Sequence, residues 1–320
     1  MARVLVAGGA GFIGSHLCEK LLNDNHKVFS LDNFITGEKT NISSFTSNSS
    51  FEFVEKDITK DLSDIKAQLK DVEFIFHLAS PASPSKKSHR SYMNHPVETL
   101  LVNSLGTYNL LNLAKDVGAK FLFASSSEVY GDPAISPQNE EYFGNVNPNG
   151  VRSVYDEGKR FGEAMVMAFV RKHDTDARII RIFNTYGPKM QKDDGRVVSN
   201  FINQALTGAP ITVYGDGKQT RSLCFISDMV EGIIAAMFTD GTKGEVINLG
   251  NPNEKTILEV AEMIKEMMGS SSQISFEELP EDDPKKRNPD ISKAKGLLSW
   301  APKVDLEGGL KKTMEYFKSV

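Results

Sequence analysis

Residues 3–14 read RVLVAGGAGFIG, and this run decides the fold. Arg3 to Ala7 is a short apolar stretch of the kind that forms a buried strand. Phe12 to Asn23 carries apolar residues at Phe12, Ile13, Leu17, Leu21 and Leu22, the spacing of a helix packed on a sheet. Between them Gly8, Gly11 and Gly14 stand in a GxxGxxG pattern. Glycines at such a turn let backbone approach a pyrophosphate, and the helix N-terminus offers it unpaired N–H groups and a positive dipole. The next expected strand, Lys27 to Asp32, ends in a carboxylate eighteen residues beyond Gly14. Asp32 is placed to accept from adenosine ribose hydroxyls and would repel a 2′-phosphate, so the expected cofactor is NAD and not NADP. Asp57, after a third strand, could reach the adenine as an acceptor.

Working outward, strands are expected at Phe51 to Lys56, Phe74 to Leu78, Phe121 to Ser125 and Ala177 to Phe183. Helices are expected at Val97 to Val117 and from Ser153 to about Lys172. This alternation predicts an α/β fold, a Rossmann-type doubly wound parallel sheet with a smaller C-terminal substrate domain. From Asn184 the texture changes, with Gly and Pro, a helix at Val198 to Leu206 and a strand at Ile211 to Tyr214. Asp228 to Met237 reads as helix and Val246 to Leu249 as a strand returning to the first sheet. Past Thr256 two more helices are expected around an acidic and basic loop at Glu281 to Arg287. The expected division is an NAD-binding domain of residues 1–183 with about 223–250, and a second domain of about 184–222 with 251–320. Ser43 to Ser50, rich in Ser and Asn, reads as a surface loop.

A chain of 320 residues, 40% hydrophobic and 25% charged, suffices for one large or two moderate domains. Its 37 basic and 42 acidic residues give a net charge of -5, which offers no general footprint for nucleic acid or an anionic membrane. Cys18 and Cys224 supply neither a disulfide framework nor a metal spacing, so a reducing compartment is expected and no metal. Met1-Ala2-Arg3 leads directly into the glycine-rich turn without a signal-peptide pattern, and no apolar run reaches the ~18 residues of a membrane span. The expected location is the cytoplasm. His77, flanked by apolar residues, reads as a core histidine.

Tyr155 and Lys159 lie four apart in YDEGK, so a helix sets them one turn apart on one face. An ammonium near a phenol favours its ionised form, which is how a tyrosine becomes a general base near neutral pH. On spacing alone the pair reads sooner as a solvated helix face, and the case for chemistry rests on the motifs that precede it.

GGAGFIG, Asp32-Asn33-Phe34, the run SSSEVYGDP from Ser125 to Pro133 and YDEGK together resemble the extended short-chain dehydrogenase/reductase family of NAD-dependent nucleotide-sugar epimerases, dehydratases and decarboxylases. The likeness covers nearly the whole chain. It is strongest to the branch that removes CO2 from UDP-glucuronate to give UDP-xylose, through LDNFITG at Leu31 to Gly37, HLASPASP at His77 to Pro84, RIFNTYGP at Arg181 to Pro188, DGRVVSNF at Asp194 to Phe201 and DDPKKRNPD at Asp282 to Asp290.

The resemblance implies that Tyr155 takes the sugar 4-hydroxyl proton while hydride passes to the nicotinamide. Lys159 would bond the nicotinamide ribose and lower the Tyr155 pKa, and Ser126 would share the hydroxyl proton. Around the NAD it places Gly8, Gly11, Phe12, Ile13 and Gly14, then Asp32, Asn33, Phe34, Thr36 and Gly37. Asp57, Ile58, Leu78, Ala79, Ser80 and Asn103 complete that set. Glu128 would separate the branches: the dehydratases carry Thr-Asp-Glu where this chain has Ser126-Ser127-Glu128, and a Ser127 hydroxyl is a poor acid for a departing 6-hydroxyl. Decarboxylases resemble this chain in pairing Ser-Glu with a distant arginine, here Arg287. UDP-glucuronate would be held by Ser126, Glu128, Tyr155 and Arg287, with Asn184, Arg196, Asn200, Tyr214 and Arg221 around the nucleotide. The family is also homodimeric, through the helices from Val97 and Ser153. Ser85 to Ser91 is longer than the family pattern; it borders the expected site, where its Lys and Arg could alter substrate grip, and is expected as a solvated insertion. A nucleotide-sugar 4-epimerase stays open as the alternative, and a 4,6-dehydratase or a non-catalytic NAD-binding protein less so.

Overall fold

Side chains alternate along β1 (Arg3–Ala7), sending Val4 and Val6 to one face and Leu5 and Ala7 to the other, and all four are fully buried. A strand buried on both faces needs cover on both, which helices on either side of a parallel sheet provide. The computed structural model describes residues 1–192, 194–279 and 286–320; most of the expected acidic and basic loop, Glu281 to Lys285, lies outside the described residues.

After β1 come α1 (Phe12–Asn23), β2 (Lys27–Asp32), α2 (Lys39–Ile42), β3 (Phe51–Glu55) and β4 (Phe74–His77). Next are α3 (Pro96–Leu101), α4 (Thr107–Val117), β5 (Lys120–Ser126), α5 (Ser153–His173) and β6 (Ala177–Ile182). The middle of the chain forms β7 (Thr185–Tyr186), α6 (Val197–Thr207), β8 (Ile211–Tyr214), β9 (Thr220–Ser222), β10 (Cys224–Phe225), α7 (Ile226–Phe238) and β11 (Val246–Leu249). The remainder supplies β12 (Glu254–Thr256), α8 (Ile257–Met268), β13 (Ile274–Glu277), β14 (Lys286–Arg287), α9 (Ser292–Leu298) and α10 (Leu306–Ser319).

Seven strands join in the order β11-β6-β5-β4-β1-β2-β3, every pair parallel. This is a Rossmann-type doubly wound sheet. Its order reverses between β1 and β4, where a crevice opens at the carboxyl ends of the strands. Leu17 and Leu21 of α1 and Met229, Ile233 and Met237 of α7 fill one face; Leu110, Leu111 and Ala114 of α4 with Val166 and Phe169 of α5 fill the other. Outside this sheet β8 pairs with β13, β7 with β10, and β9 lies between β12 and β14.

Two expectations need correction. The helix expected through Val97 to Val117 is interrupted by a π-helical turn at Val102–Gly106. There Asn103 Nδ2 donates to the Thr99 carbonyl at 2.9 Å and Thr107 Oγ1 to the Asn103 carbonyl at 2.8 Å, bonds that compete with the regular ladder. Beyond Thr256 the described residues hold three helices and not two, because the seven residues of α9 are too short to show a period.

Candidate active site

The turn after β1 is packed so tightly that side chains have no room. Gly8 has φ +87°, and a Cβ there would lie 2.6 Å from the Ala79 nitrogen; one on Gly14 would lie 2.0 Å from the Gly8 carbonyl oxygen. Backbone from β1, the β4 loop and the first turn of α1 therefore form one concave surface. Beside it the Asp32 carboxylate accepts from the Ala10 N–H at 3.0 Å and the Phe34 N–H at 2.8 Å, while burial raises its pKa. Gly37 leaves that carboxylate its space, since a Cβ would stand 2.8 Å from it.

Gly8, Gly11, Phe12, Ile13, Gly14, Thr36, Leu78 and Ser80 line one side of a cavity of about 550 Å³. Asp32, Asn33, Phe34, Gly37, Ala79 and Asn103 are not among its lining residues. Asp57 Oδ1 accepts from the Thr59 N–H and hydroxyl, both at 2.8 Å, and Ile58 is buried against Gly106; neither is among the residues that line the cavity. Asn103 is fully buried and donates to Ser80 Oγ at 3.0 Å, yet its Oδ1 has no partner among the described residues. A buried acceptor left open beside a glycine cradle and a ribose-type carboxylate fits NAD.

A Cβ on Gly162 would sit 2.3 Å from Phe123, so α5 lies directly on β5 and brings Tyr155 and Lys159 to that strand's end. Lys159 Nζ donates to the Ala124 carbonyl at 2.8 Å and lies 5.7 Å from the Tyr155 ring. Tyr92, which the sequence did not single out, stacks on Tyr155 at 5.0 Å. The spacing led to the expectation that Lys159 would lower the phenol pKa. In the chain alone burial dominates and pushes Tyr155 up to about 12, with the Ser126 hydroxyl opposing, while burial pulls Lys159 down to about 7. Ser126 caps the following 3-10 turn by accepting from the Glu128 N–H at 3.2 Å and also lines the cavity.

Glu128 sits in that turn, and one of its oxygens, Oε2, accepts from Arg152 at 2.7 Å and from Arg287 at 2.9 Å. Burial alone would raise this carboxyl, but the two guanidinium groups override it and hold it well below the usual carboxylate range. Arg287 is 2% exposed and not a surface charge. It arrives because β14 pairs in parallel with β9, Arg287 opposite Arg221, and its Nη1 also donates to the Gly131 carbonyl at 2.6 Å. Arg152 was missed; its only signal was its place one helical turn before Tyr155. Asp156 was missed too. It is buried with Oδ1 unpartnered among the described residues, and burial, with the Glu128 charge, raises it to about 8.

Asn184, Arg196, Asn200, Tyr214 and Arg221 line the opposite side of the same cavity. Arg196 Nη2 donates to Asp194 at 2.7 Å, and Asn200 Nδ2 to the Gly195 carbonyl at 3.1 Å. The insertion from Ser85 is not simply solvated: Ser85, Lys86, Lys87 and Arg90 belong to the cavity wall, and Ser88 is 1% exposed. His77 is a core residue as expected, its Nε2 3.1 Å from Thr107 Oγ1, with burial lowering it to about 3. Among the described residues no His, Cys, Asp and Glu cluster is arranged to hold a metal ion, and no helix is long and apolar enough to cross a membrane.

Residues 4–250 match the NAD dependent epimerase/dehydratase family. UDP-glucuronic acid decarboxylase 1 of Xenopus tropicalis is 50% identical over 316 residues, covering 99% of this chain and 72% of its own. UDP-glucuronic acid decarboxylase 3 of Arabidopsis thaliana is 51% identical over 317 residues, covering 99% and 89%. Among solved structures, the UDP-glucuronic acid 4-epimerase of Bacillus cereus, in complex with UDP-glucuronic acid and NAD, superposes with a TM-score of 0.86 at 32% identity, covering 99% of both chains.

Proposed function

The chain belongs to the NAD-dependent epimerase/dehydratase family, and from that premise we infer that it is an NAD-dependent carboxy-lyase converting UDP-glucuronate to UDP-xylose and CO2. The observation that carries the reading is the ionised Glu128 between Arg152 and Arg287, in the cavity that also holds Ser126, Tyr155 and Lys159.

Gly8, Gly11 and Gly14 would hold the pyrophosphate of NAD, Asp32 the adenosine ribose and Lys159 the nicotinamide ribose. Held there, NAD would supply the hydride acceptor for oxidation at C4 and the hydride donor for its re-reduction, so the cycle would have no net redox change. Tyr155 takes the proton from the 4-hydroxyl, with Ser126 sharing it. Burial holds Tyr155 up near 12 in the chain alone, so positive charge beside it, from Lys159 when protonated and from a nicotinamide held in the site, would ease that proton away. With C4 a ketone, the C6 carboxylate belongs to a β-keto acid. The C5–C6 bond breaks, its electron pair passes to the C4 oxygen, and CO2 leaves. Tyr155 and Ser126 donate to that oxygen as charge develops. Glu128, Arg287 and Arg152 serve the carboxylate end and the return of a proton to C5. Asn184, Arg196, Asn200, Tyr214 and Arg221 bind the UDP portion, arginine suiting phosphate oxygens.

In this reading residues 1–183 with about 223–250 carry the cofactor, and about 184–222 with 251–320 carry the nucleotide sugar. The protein is a homodimer, supported by Leu100, Leu101, Leu105 and Tyr108 along α3 to α4 and Phe161 on α5, each more than 40% exposed. Its place is the cytoplasm, supported by two buried free thiols.

Incubation with UDP-glucuronate tests the reaction: CO2 and UDP-xylose are expected. A UDP-galacturonate product without gas would replace the decarboxylase with a 4-epimerase.

A further inference from the structure

The segment Ser85-Lys86-Lys87-Ser88-His89-Arg90-Ser91 is closed at its base and fastened on two sides. Ser83 and Ser91 form a bridge, with Ser91 Oγ donating to the Ser83 carbonyl at 2.8 Å. Asn94 Nδ2 donates to the Ser88 carbonyl at 2.7 Å and the Lys86 carbonyl at 3.2 Å, and His95 Nε2 to the His89 carbonyl at 2.8 Å. These bonds make a compact loop whose ends meet, a kind often functional. One flank is tied by an ion pair from Arg90 to Glu38, just past the Asp32 loop. The other is tied by Ser83 Oγ to the Asp194 carbonyl, and by Ser85 packing so closely on Gly195 that a Cβ there would overlap it. The loop thus spans the cavity between its cofactor side and its nucleotide-sugar side.

Lys86 and Lys87 form the loop's tip; both are exposed and both belong to the cavity wall. Several other ionised groups of that wall are paired, Glu128 with Arg152 and Arg287, Arg196 with Asp194, and Arg90 with Glu38, while Lys159 and Arg221 donate to the backbone carbonyls of Ala124 and Thr220. Lys86 and Lys87 have no acidic partner among the described residues. Two ammonium groups are therefore held, unneutralised, at the opening of a cavity meant for polyanions, by a loop whose backbone is already ordered. An ordered backbone before binding removes the loop-ordering part of the cost of binding.

We propose that Lys86 and Lys87 are a ligand clamp, closing on a diphosphate at the cavity mouth. The proposal rests on the reading above that the cavity takes NAD and a sugar nucleotide, each of which carries a diphosphate. The glycine cradle already offers backbone donors to one of them, which leaves the diphosphate of the sugar nucleotide as the clamp's partner.

The test uses the full-length protein with its cofactor, the double variant Lys86→Ala/Lys87→Ala, and the charge-conserving Lys86→Arg/Lys87→Arg. UDP affinity is measured by calorimetry at several salt concentrations, and NAD retained after gel filtration is measured alongside. The alanine variant is expected to bind UDP about 10-fold more weakly, with a shallower salt dependence, and to raise KM for UDP-glucuronate while kcat stays within about twofold. The arginine variant is expected to retain the affinity. Loss of retained NAD with UDP affinity intact would assign the clamp to the dinucleotide instead. Unchanged UDP affinity, salt dependence and NAD content would overturn the proposal. UDP binding needs no turnover, so a wild-type protein that binds UDP yet releases no CO2 would sink the proposed reaction and leave the clamp standing.

Discussion

Arg152 and Arg287 each place a guanidinium nitrogen on the same oxygen of Glu128, at 2.7 and 2.9 Å, although 135 residues separate them. One arginine would suffice for an ordinary ion pair. Here both oppose the cost of burying a carboxylate that stays ionised.

Removal of one of them should show in the pH profile. Arg152→Met leaves Glu128 with Arg287 alone, so burial regains ground and the carboxyl pKa rises. The acid limb of kcat is expected to move to higher pH, with kcat near neutrality down about 10²-fold and NAD content unchanged. An acid limb at the wild-type position would remove Arg152 as the residue that positions Glu128. Glu128→Gln is expected to lose turnover to a similar extent at every pH, with cofactor retained.

Tyr155→Phe removes the proposed base and leaves the ring to stack on Tyr92. The protein should purify with NAD yet lose about 10²- to 10⁴-fold in CO2 release. Single-turnover mixing with UDP-glucuronate should show no reduced nicotinamide absorbance, because oxidation at C4 precedes loss of the carboxylate. Decarboxylation persisting near the wild-type rate would mean that another group takes the proton.

Asp156 gives a stability prediction with a definite sign. Its folded pKa of about 8 stands well above the ordinary aspartate value of 3.8, so between the two the folded chain holds a proton that the unfolded chain has released. Stability must therefore fall as pH rises through that window, and this contribution is fully present only below it. Asp156→Asn keeps the side chain neutral in both states. Its melting temperature is expected to vary less between pH 5 and about 8 than that of the wild type, and a parallel pair of curves would contradict the assignment.

The outward face of α3 to α4 predicts a quaternary effect. Leu100→Glu with Leu105→Glu puts two charges among exposed apolar side chains, and light scattering is expected to report a monomer for the variant and the proposed dimer for the wild type. A wild-type monomer at micromolar concentration would dispose of the proposed interface.

Local features were legible in the sequence. RVLVAGGAGFIG codes a strand, a tight turn and a helix within 12 residues, and Tyr155 with Lys159 needs only one helix turn to share a face. What was not legible depends on environment or on distant pairing. Spacing cannot weigh desolvation, which in the chain alone holds the Tyr155 phenol up against the lowering expected from Lys159. Arg287 was identified through family resemblance, and its approach to Glu128 depends on β14 pairing with β9, two short strands without a strong period. Arg152 and Tyr92 lack a motif of their own. Ser85 to Ser91 looked like a polar surface insertion because its anchors, Glu38, Asn94, His95 and Asp194, lie on other segments.

The position of β14 bears on the order in which a ribosome delivers this protein. Synthesis runs from the N-terminus, and a domain can begin folding before the chain is finished. The glycine turn, Asp32, Tyr155, Lys159 and Glu128 all emerge within the first half, and six strands of the central sheet are available once β6 is made. β11 must still emerge to cover the open edge of β6, and Arg287 arrives only near the end. Glu128 therefore gains its second arginine only when synthesis is nearly complete, and on the role proposed for that pair, competence for carbon–carbon cleavage would come last.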